Sequence, residues 1–136
     1  MRYGSTLSDV ARVLLVDDNE EMLARSAATL APACEIIGAV KDGPAALQAA
    51  EALHPDVIVL DISMPGMSGV DVLRAMRAQA GHRPSPPIVM FSADENQAIL
   101  DEAMRLGAIG FVSKTNPDAL LRVVEAHVRP TIPPHA

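Results

Sequence analysis

The stretch VIVLDISMPGMSG, residues 57–69, joins a run of apolar residues directly to an aspartate. Its first four residues have the composition of a buried β-strand, and Asp61 follows them without a polar spacer. The chain then breaks at Met64-Pro65-Gly66, where proline and glycine favour a turn. A carboxylate at the end of a buried strand, just before a turn, is a candidate functional group.

Strand-like and helix-like segments alternate along the rest of the chain. Apolar runs of strand length occur at residues 11–16, 34–40, 56–60, 87–91 and 108–112. Segments with helical spacing of apolar residues, or with helix-capping residues, follow them at residues 19–31, 43–53, 68–79, 94–107 and 116–128. Nearly continuous apolar strands are typical of a parallel sheet covered by helices on both faces. The pattern predicts an α/β fold, a single doubly wound (βα)5 three-layer sandwich, and leaves the strand order open.

Capping residues predict where three of the helices begin. Ser68 and Asp71 have the spacing of a capping box at the third helix. Asp94 is the expected cap of the fourth helix. Asn116 is the expected cap of the fifth, with Pro117 at its first helical position.

One domain is expected to occupy residues 11–128. A chain of 136 residues has the length of a single ordinary domain, and no composition change marks an internal boundary. Residues 1–10 are polar and aperiodic, which predicts an N-terminal arm, and residues 129–136 form a Pro-rich tail.

Composition and charge exclude several classes of function. A net charge of −6 with only two lysines argues against binding to a nucleic-acid backbone. Two Phe, one Tyr and no Trp leave few platforms for stacking bases. No apolar run approaches the roughly 18 residues of a membrane span. A single cysteine, Cys34, rules out an intrachain disulfide, so a cytoplasmic location is expected.

Polar residues occur where the predicted strands end. They are Asp17-Asp18 after the first strand, Asp61 after the third, Ser92 after the fourth and Ser113-Lys114 after the fifth. Because the carboxyl ends of parallel strands share one edge of a sheet, these side chains are expected to lie together. Taken singly, each has an ordinary alternative role as a helix cap, a turn residue or a solvated charge. The alternative does not account for the whole set.

The set of strand-end residues favours phosphoryl chemistry. Three neighbouring carboxylates repel one another, and a divalent cation that prefers oxygen ligands relieves the repulsion. Mg²⁺ fits such a site because it uses few carboxylates and shares phosphate oxygens. A lysine and a hydroxyl opposite would hold a phosphoryl group. The expected reaction is in-line attack by a carboxylate on phosphorus, which forms an aspartyl phosphate.

Four segments carry a resemblance to a known family. They are LLVDDNE (14–20), VIVLDISMPGMSG (57–69), IVMFSA (88–93) and GAIGFVSK (107–114). In order and spacing they resemble the motifs of two-component response-regulator receiver domains, including the chemotaxis regulators, over residues 11–128. The resemblance implies a flavodoxin-like sheet in the order 2-1-3-4-5. It also implies that a histidine kinase or a histidine phosphotransfer protein donates the phosphoryl group.

By this resemblance Asp61 is the phosphoacceptor and part of a magnesium site. Asp18 and Asp61 would bind Mg²⁺ directly, and Asp17 would act mainly through water. The backbone carbonyl of Ser63 would supply a further ligand.

The resemblance also implies a switch. Ser92 and Lys114 would each contact a phosphoryl oxygen. Ser92 would then move toward the phosphoryl group, and Phe111 would follow by packing inward. The face formed by residues 94–128 would change for an output partner that the sequence does not name, and it is a candidate homodimer interface.

One position departs from the family pattern. The family usually has a proline after the lysine, often through a cis peptide bond, and here the residue is Thr115. A cis bond before a residue other than proline costs about 2.5–4 kcal/mol, so the Lys114–Thr115 bond is either trans or strained. The departure makes the position of the Lys114 side chain an open question.

Two other functions remain as alternatives. A metal-dependent phosphohydrolase of haloacid-dehalogenase type would need a second aspartate two residues after Asp17, and that residue is Asn19. A pseudo-receiver would bind partners without taking phosphate, but such modules usually lack a site residue that this chain has. The expected catalysis is limited to phosphorylation and dephosphorylation of Asp61 itself, so the chain is not expected to be an enzyme in the usual sense.

Overall fold

A computed structural model describes residues 10–93 and 96–127. Strands and helices alternate along it. The strands are β1 (Ala11–Val16), β2 (Cys34–Val40), β3 (Val57–Leu60), β4 (Ile88–Ser92) and β5 (Gly110–Ser113). The helices are α1 (Glu20–Leu30), α2 (Gly43–Leu53), α3 (Gly69–Ala80), α4 (Gln97–Arg105) and α5 (Ala119–His127). The predicted arm, except residue 10, and the predicted tail lie outside the described residues.

The five strands form one parallel sheet in the order β2-β1-β3-β4-β5. This confirms both the predicted α/β class and the strand order implied by the resemblance. The order reverses direction between β1 and β3, and in such sheets ligands bind beside the carboxyl ends of the strands at that point. The residues that follow β1 and β3 are therefore placed at the expected binding crevice.

Helices cover both faces of the sheet, and each face has its own apolar core. Alternate residues of one strand enter different cores because side chains alternate between the two faces. Leu14, Ile58 and Met90 belong to the core under α2, α3 and α4. Leu15, Val59 and Phe91 belong to the core under α1 and α5. The result is the predicted three-layer sandwich.

Two predicted helix starts were wrong. Asn96, in an extended conformation, caps α4 through a side-chain oxygen that accepts from the backbone of Ala98 and Ile99. The expected cap, Asp94, lies outside the described residues. α5 begins at Ala119, two residues beyond Pro117, the expected first helical position, and the N–H of Ala119 donates to Asn116 O at 3.1 Å.

The other predicted cap is confirmed. The hydroxyl of Ser68 accepts from the backbone N–H of Asp71, and the Asp71 carboxylate accepts from the backbone N–H of Ser68. Two otherwise unpaired N–H groups at the start of α3 are thus satisfied. None of the described helices has the length and apolar character needed to cross a membrane.

Candidate functional site

The polar residues predicted at the strand ends do converge at the carboxyl edge of the sheet. Asp17, Asp61 and Ser92 are 4%, 4% and 0% exposed, while Asp18 lies at the surface. One carboxylate oxygen from each of Asp17, Asp18 and Asp61 lies within 4.8 Å of the other two. Charged groups are rarely buried so deeply without a partner, so this edge is unlike the rest of the core.

Backbone hydrogen bonds place the two buried aspartates. The N–H of Asp17 donates to Val40 O at 3.1 Å, and the N–H of Asp61 donates to Val16 O at 3.0 Å. Both bonds continue the pairing of the sheet one residue beyond the strands. The backbone N–H of Asn19 donates to Asp17 Oδ1 at 3.0 Å, so the turn after β1 orients that side chain.

Lys114 brings a positive charge to the carboxylates. Its Nζ lies 2.7 Å from Asp17 Oδ2 and 3.4 Å from Asp61 Oδ2, and its side chain is only 15% exposed. Nζ also lies 5.8 Å from the centre of the Phe91 ring, within the range of a cation–π contact. The lysine predicted from the sequence therefore reaches both buried aspartates.

The pKa of Asp61 is raised to about 6 from 3.8, chiefly because burial takes the charged carboxylate out of contact with water. The negative charge of Asp17 acts in the same direction. The Lys114 ammonium and the backbone N–H of Ser63, which donates to Asp61 Oδ1 at 3.2 Å, act in the opposite direction and lower it. The arrangement keeps the Asp61 carboxylate mostly ionised at neutral pH, in a largely water-excluded position.

A close backbone contact sets α3 against Asp61. The N–H of Gly69 donates to Ile62 O at 2.7 Å, and a Cβ on Gly69 would lie 2.2 Å from Asp61 O. Only glycine fits between the start of α3 and the backbone of Asp61. Gly69 is the last residue of the stretch 57–69, so the glycine was visible in the sequence. The sequence did not show that it approaches the Asp61 backbone.

The donor set of the carboxylate cluster fits Mg²⁺. It is the only group of three potential His, Cys, Asp or Glu ligands among residues 10–93 and 96–127. All of its ligand atoms are oxygens, and the Asp18 side chain is open to solvent. Mg²⁺ prefers oxygen ligands and retains several waters, which such a half-open site allows.

Ser92 and Phe111, the predicted switch residues, lie on neighbouring strands. Ser92 is fully buried, and its carbonyl accepts from the N–H of Lys114 at 3.0 Å. Phe111 is half-buried against the core under α2, α3 and α4, and it pairs in register with Met90, two residues before Ser92. Residues two apart on a strand share a face, so Ser92 and Phe111 face the same side of the sheet.

The loop after Lys114 answers the question raised by Thr115. No peptide bond among the described residues is cis, so Lys114–Thr115 is trans. The Ser113 and Thr115 hydroxyls lie 2.7 Å apart, and the N–H of Thr115 donates to Ser113 Oγ at 3.1 Å. Lys114 nevertheless reaches both aspartates. The contact between Lys114 Nζ and the Phe91 ring was not predicted from the sequence, where the only signal was the position of Phe91 next to Ser92.

Comparisons with known proteins give one consistent family. A model of the response regulator receiver domain matches residues 13–125. A protein-glutamate methylesterase/protein-glutamine glutaminase of Thermotoga maritima is 37% identical over 109 residues, which are 77% of this chain and 30% of that protein. The nitrate/nitrite response regulator protein NarL of Escherichia coli K12 is 32% identical over 117 residues, 84% of this chain and 53% of that protein. This chain corresponds to only part of each relative.

Solved structures show the same architecture. The signal receiver domain of NarL from Mycobacterium tuberculosis superimposes with a TM-score of 0.80 at 28% identity, over 88% of this chain and 97% of that one. The response regulator domain of Thermotoga maritima CheB superimposes with a TM-score of 0.78 at 30% identity, over 92% and 99% of the two chains. Both similarities extend over the sheet and the helices on its two faces.

Proposed function

The chain belongs to the response regulator receiver domain family, and on that premise we propose that Asp61 is its phosphoacceptor. One observation carries the proposal. The buried Asp61 carboxylate has Lys114 Nζ at 3.4 Å and oxygens of Asp17 and Asp18 within 4.8 Å. A nucleophile, a site for a cation and a fixed positive charge thus surround one position at which a phosphoryl group can be held.

The proposed reaction is an in-line displacement at phosphorus. An ionised Asp61 oxygen forms a bond to the phosphorus of a phosphohistidine, while the phosphorus–nitrogen bond breaks and its electron pair passes to the imidazole. The Lys114 ammonium pairs with an equatorial oxygen of the transferred group. Ser92 Oγ donates a hydrogen bond to another. Both contacts strengthen as charge shifts onto these oxygens.

The carboxylate cluster is the proposed magnesium site. Asp18 and Asp61 would bind the ion directly, Asp17 mainly through water, and the Ser63 backbone carbonyl would complete the protein ligands. Bound Mg²⁺ supplies neutralisation of the negative charge on the phosphoryl oxygens and on Asp61. Asp17 in turn positions Lys114, since their charged atoms lie 2.7 Å apart.

We propose that phosphorylation shifts the population between two packings of the face formed by residues 94–128. Ser92 and Phe111 share one side of the sheet, so a movement of Ser92 toward the phosphoryl group frees space that the Phe111 ring can fill. Phe111 lacks a hydroxyl, so only its packing reports the state. A partner that prefers one packing reads the switch.

The proposed phosphodonor is a histidine kinase or a histidine phosphotransfer protein, acting in the cytoplasm. The chain itself would have no catalysis beyond phosphorylation and dephosphorylation of Asp61. A homodimer through residues 94–128 is a further proposal. The output is not named by the relatives, whose printed names include a methylesterase and a nitrate/nitrite regulator.

Intact-mass analysis after incubation with phosphoramidate tests the central proposal. Wild type should gain one phosphoryl group only when Mg²⁺ is present, and Asp61→Asn should gain none. Asp42→Asn is a matched control, because Asp42 caps α2 and asparagine is an equally good cap. It should gain one group, as wild type does. A folded wild-type protein without the adduct would contradict the proposal and favour a pseudo-receiver.

A further inference from the structure

The segment after β5 pairs three consecutive backbone N–H groups around Lys114. The N–H of Lys114 donates to Ser92 O at 3.0 Å. The N–H of Thr115 donates to Ser113 Oγ at 3.1 Å. The N–H of Asn116 donates to Ser113 O at 2.9 Å. Ser113 therefore bonds to the two residues that follow Lys114, and Ser92 bonds to Lys114 itself.

The two hydroxyls that flank Lys114 add a direct contact. Ser113 Oγ and Thr115 Oγ1 lie 2.7 Å apart, and either can donate. Together with the N–H bond, this contact closes a small hydrogen-bonded ring that spans Lys114. A proline at position 115, the usual family residue, has neither an N–H nor a hydroxyl. The ring therefore cannot form in a chain that has proline there.

A lysine side chain needs such support to act at a defined point. Its four-carbon stem has several rotatable bonds, and its three donors have no fixed direction. In this chain Nζ is nevertheless held 2.7 Å from Asp17 and 3.4 Å from Asp61. Fixing the backbone on both sides of Lys114 removes freedom at the root of the side chain, which favours a charge already in place before the reaction.

We propose that the Ser113 and Thr115 hydroxyls form a clasp that positions Lys114 for the phosphoryl group. Both are positioning residues, because they act through Lys114 and touch neither the donor nor the reacting atoms. The inference rests on the proposed function of the site. It adds that this chain orders its lysine by hydroxyl pairing where the family pattern has a proline.

Lysine NMR tests the clasp without any phosphorylation. The sequence has only two lysines, Lys41 and Lys114, so ¹³C-lysine labelling gives one Cε signal for each. The two Cε protons of an ordered lysine differ in chemical shift, and those of a freely rotating one coincide. Wild type should show separated protons for Lys114 and nearly coincident ones for Lys41, whose side chain is 53% exposed.

Four variants separate the clasp from general effects. Ser113→Ala removes both hydroxyl contacts and should bring the two Lys114 Cε protons together. Thr115→Val removes one contact at nearly constant shape and should have a smaller effect in the same direction. Thr115→Ser keeps a hydroxyl at this position, so its Lys114 Cε protons should be separated as in wild type. Ser85→Ala removes a loop hydroxyl at the opposite end of the sheet and should also match wild type.

The phosphoramidate rate gives a second readout. Ser113→Ala should slow adduct formation by about two- to tenfold at saturating Mg²⁺, the size of effect expected for the loss of an ordinary hydrogen bond. Urea midpoints, measured alongside, identify any loss that comes from unfolding. Thr115→Ser should keep the wild-type rate.

The outcomes decide the inference separately from the proposed function. If Ser113→Ala and Thr115→Val keep separated Lys114 protons and the wild-type rate, the clasp is wrong even though Asp61 is phosphorylated. If wild type takes no phosphoryl group, the proposed function fails, and the lysine spectra still report whether the clasp orders Lys114. The clasp is also wrong if Thr115→Ser and Thr115→Val change the Lys114 spectrum equally, since the hydroxyl at position 115 would then be irrelevant.

Discussion

The two ends of the sheet arrange their charged side chains in opposite ways. At the amino end, the Arg12 guanidinium donates to the carbonyls of Leu53 and His54, at 2.9 and 2.7 Å, where α2 ends. Asp56 accepts from the Arg12 backbone N–H at 2.8 Å, and its own N–H donates to Arg12 O. The charged side chains of Arg12 and Asp56 thus each have a hydrogen-bond partner. At the carboxyl end, three carboxylates face a single lysine.

The comparison shows where the molecule favours stability and where it favours chemistry. The Arg12 guanidinium satisfies carbonyls at the end of α2, and the Asp56 carboxylate accepts from a backbone N–H of β1, so both charges stabilise the fold. Asp17 and Asp61 repel each other, and burial opposes the ionised form of Asp61. Both ends belong to the same strands, so the paired charges at the amino end can offset the repulsion between the carboxylates at the carboxyl end.

The largest effect should come from filling the space beside Asp61. Gly69→Ala places a Cβ against the Asp61 backbone and should lower the free energy of unfolding by about 3 kcal/mol, because backbone cannot yield as a side chain can. Urea denaturation measures the loss. Gly43→Ala, whose Cβ meets the Met67 side chain, should lose much less. Equal losses in the two variants would contradict the close-approach argument.

A smaller loss is expected at the amino end. Arg12→Met keeps the apolar stem but removes the charge-assisted bonds to the end of α2, so the free energy of unfolding should fall by about 1.5–3 kcal/mol. Arg25→Met, at an exposed position of α1, is the control and should change little. A wild-type midpoint for Arg12→Met would remove the contrast between the two ends.

Asp61→Asn should shift stability in the opposite direction, and only at higher pH. Between pH 4 and 6 the folded protein holds more protons than the unfolded chain, because the pKa of Asp61 is raised to about 6. Raising the pH through this window therefore lowers the stability of wild type. Asparagine cannot ionise, so in EDTA the variant should be more stable than wild type at pH 7.5 and gain nothing below pH 4. A gain that is independent of pH would show another cause.

The smallest effect is expected at the exposed ion pair of Lys41 and Glu20 beside the site. Lys41→Met should leave the urea midpoint unchanged within error, since water screens a pair at the surface.

Lys114→Met should raise the pKa of Asp61 further above 6, because Lys114 is the main charge that lowers it. NMR titration of the Asp61 carboxyl carbon measures that shift. An unchanged pKa would mean that the ammonium does not act on Asp61.

Much of the candidate site was predictable because its signals are local. Strand composition and turn residues placed Asp17, Asp61, Ser92 and Lys114 at strand ends, and parallel strands necessarily bring those ends to one edge. The capping box of α3 was readable for the same reason, since its two residues are three apart. The starts of α4 and α5 were not, because more than one residue of capping type precedes each helix, and only the folded backbone decides where the helix begins.

The alternation of strands and helices, the apolar cores and the expected chemistry at the strand ends all follow from the order of the amino acids. Hydrophobic period and residue type carry that information along the chain. The individual contacts follow only from the packed fold: Gly69 against the Asp61 backbone, the Phe91 ring near Lys114, and the Ser113–Thr115 contact in the loop. Such distances depend on how separate segments pack, and no spacing within one segment encodes them.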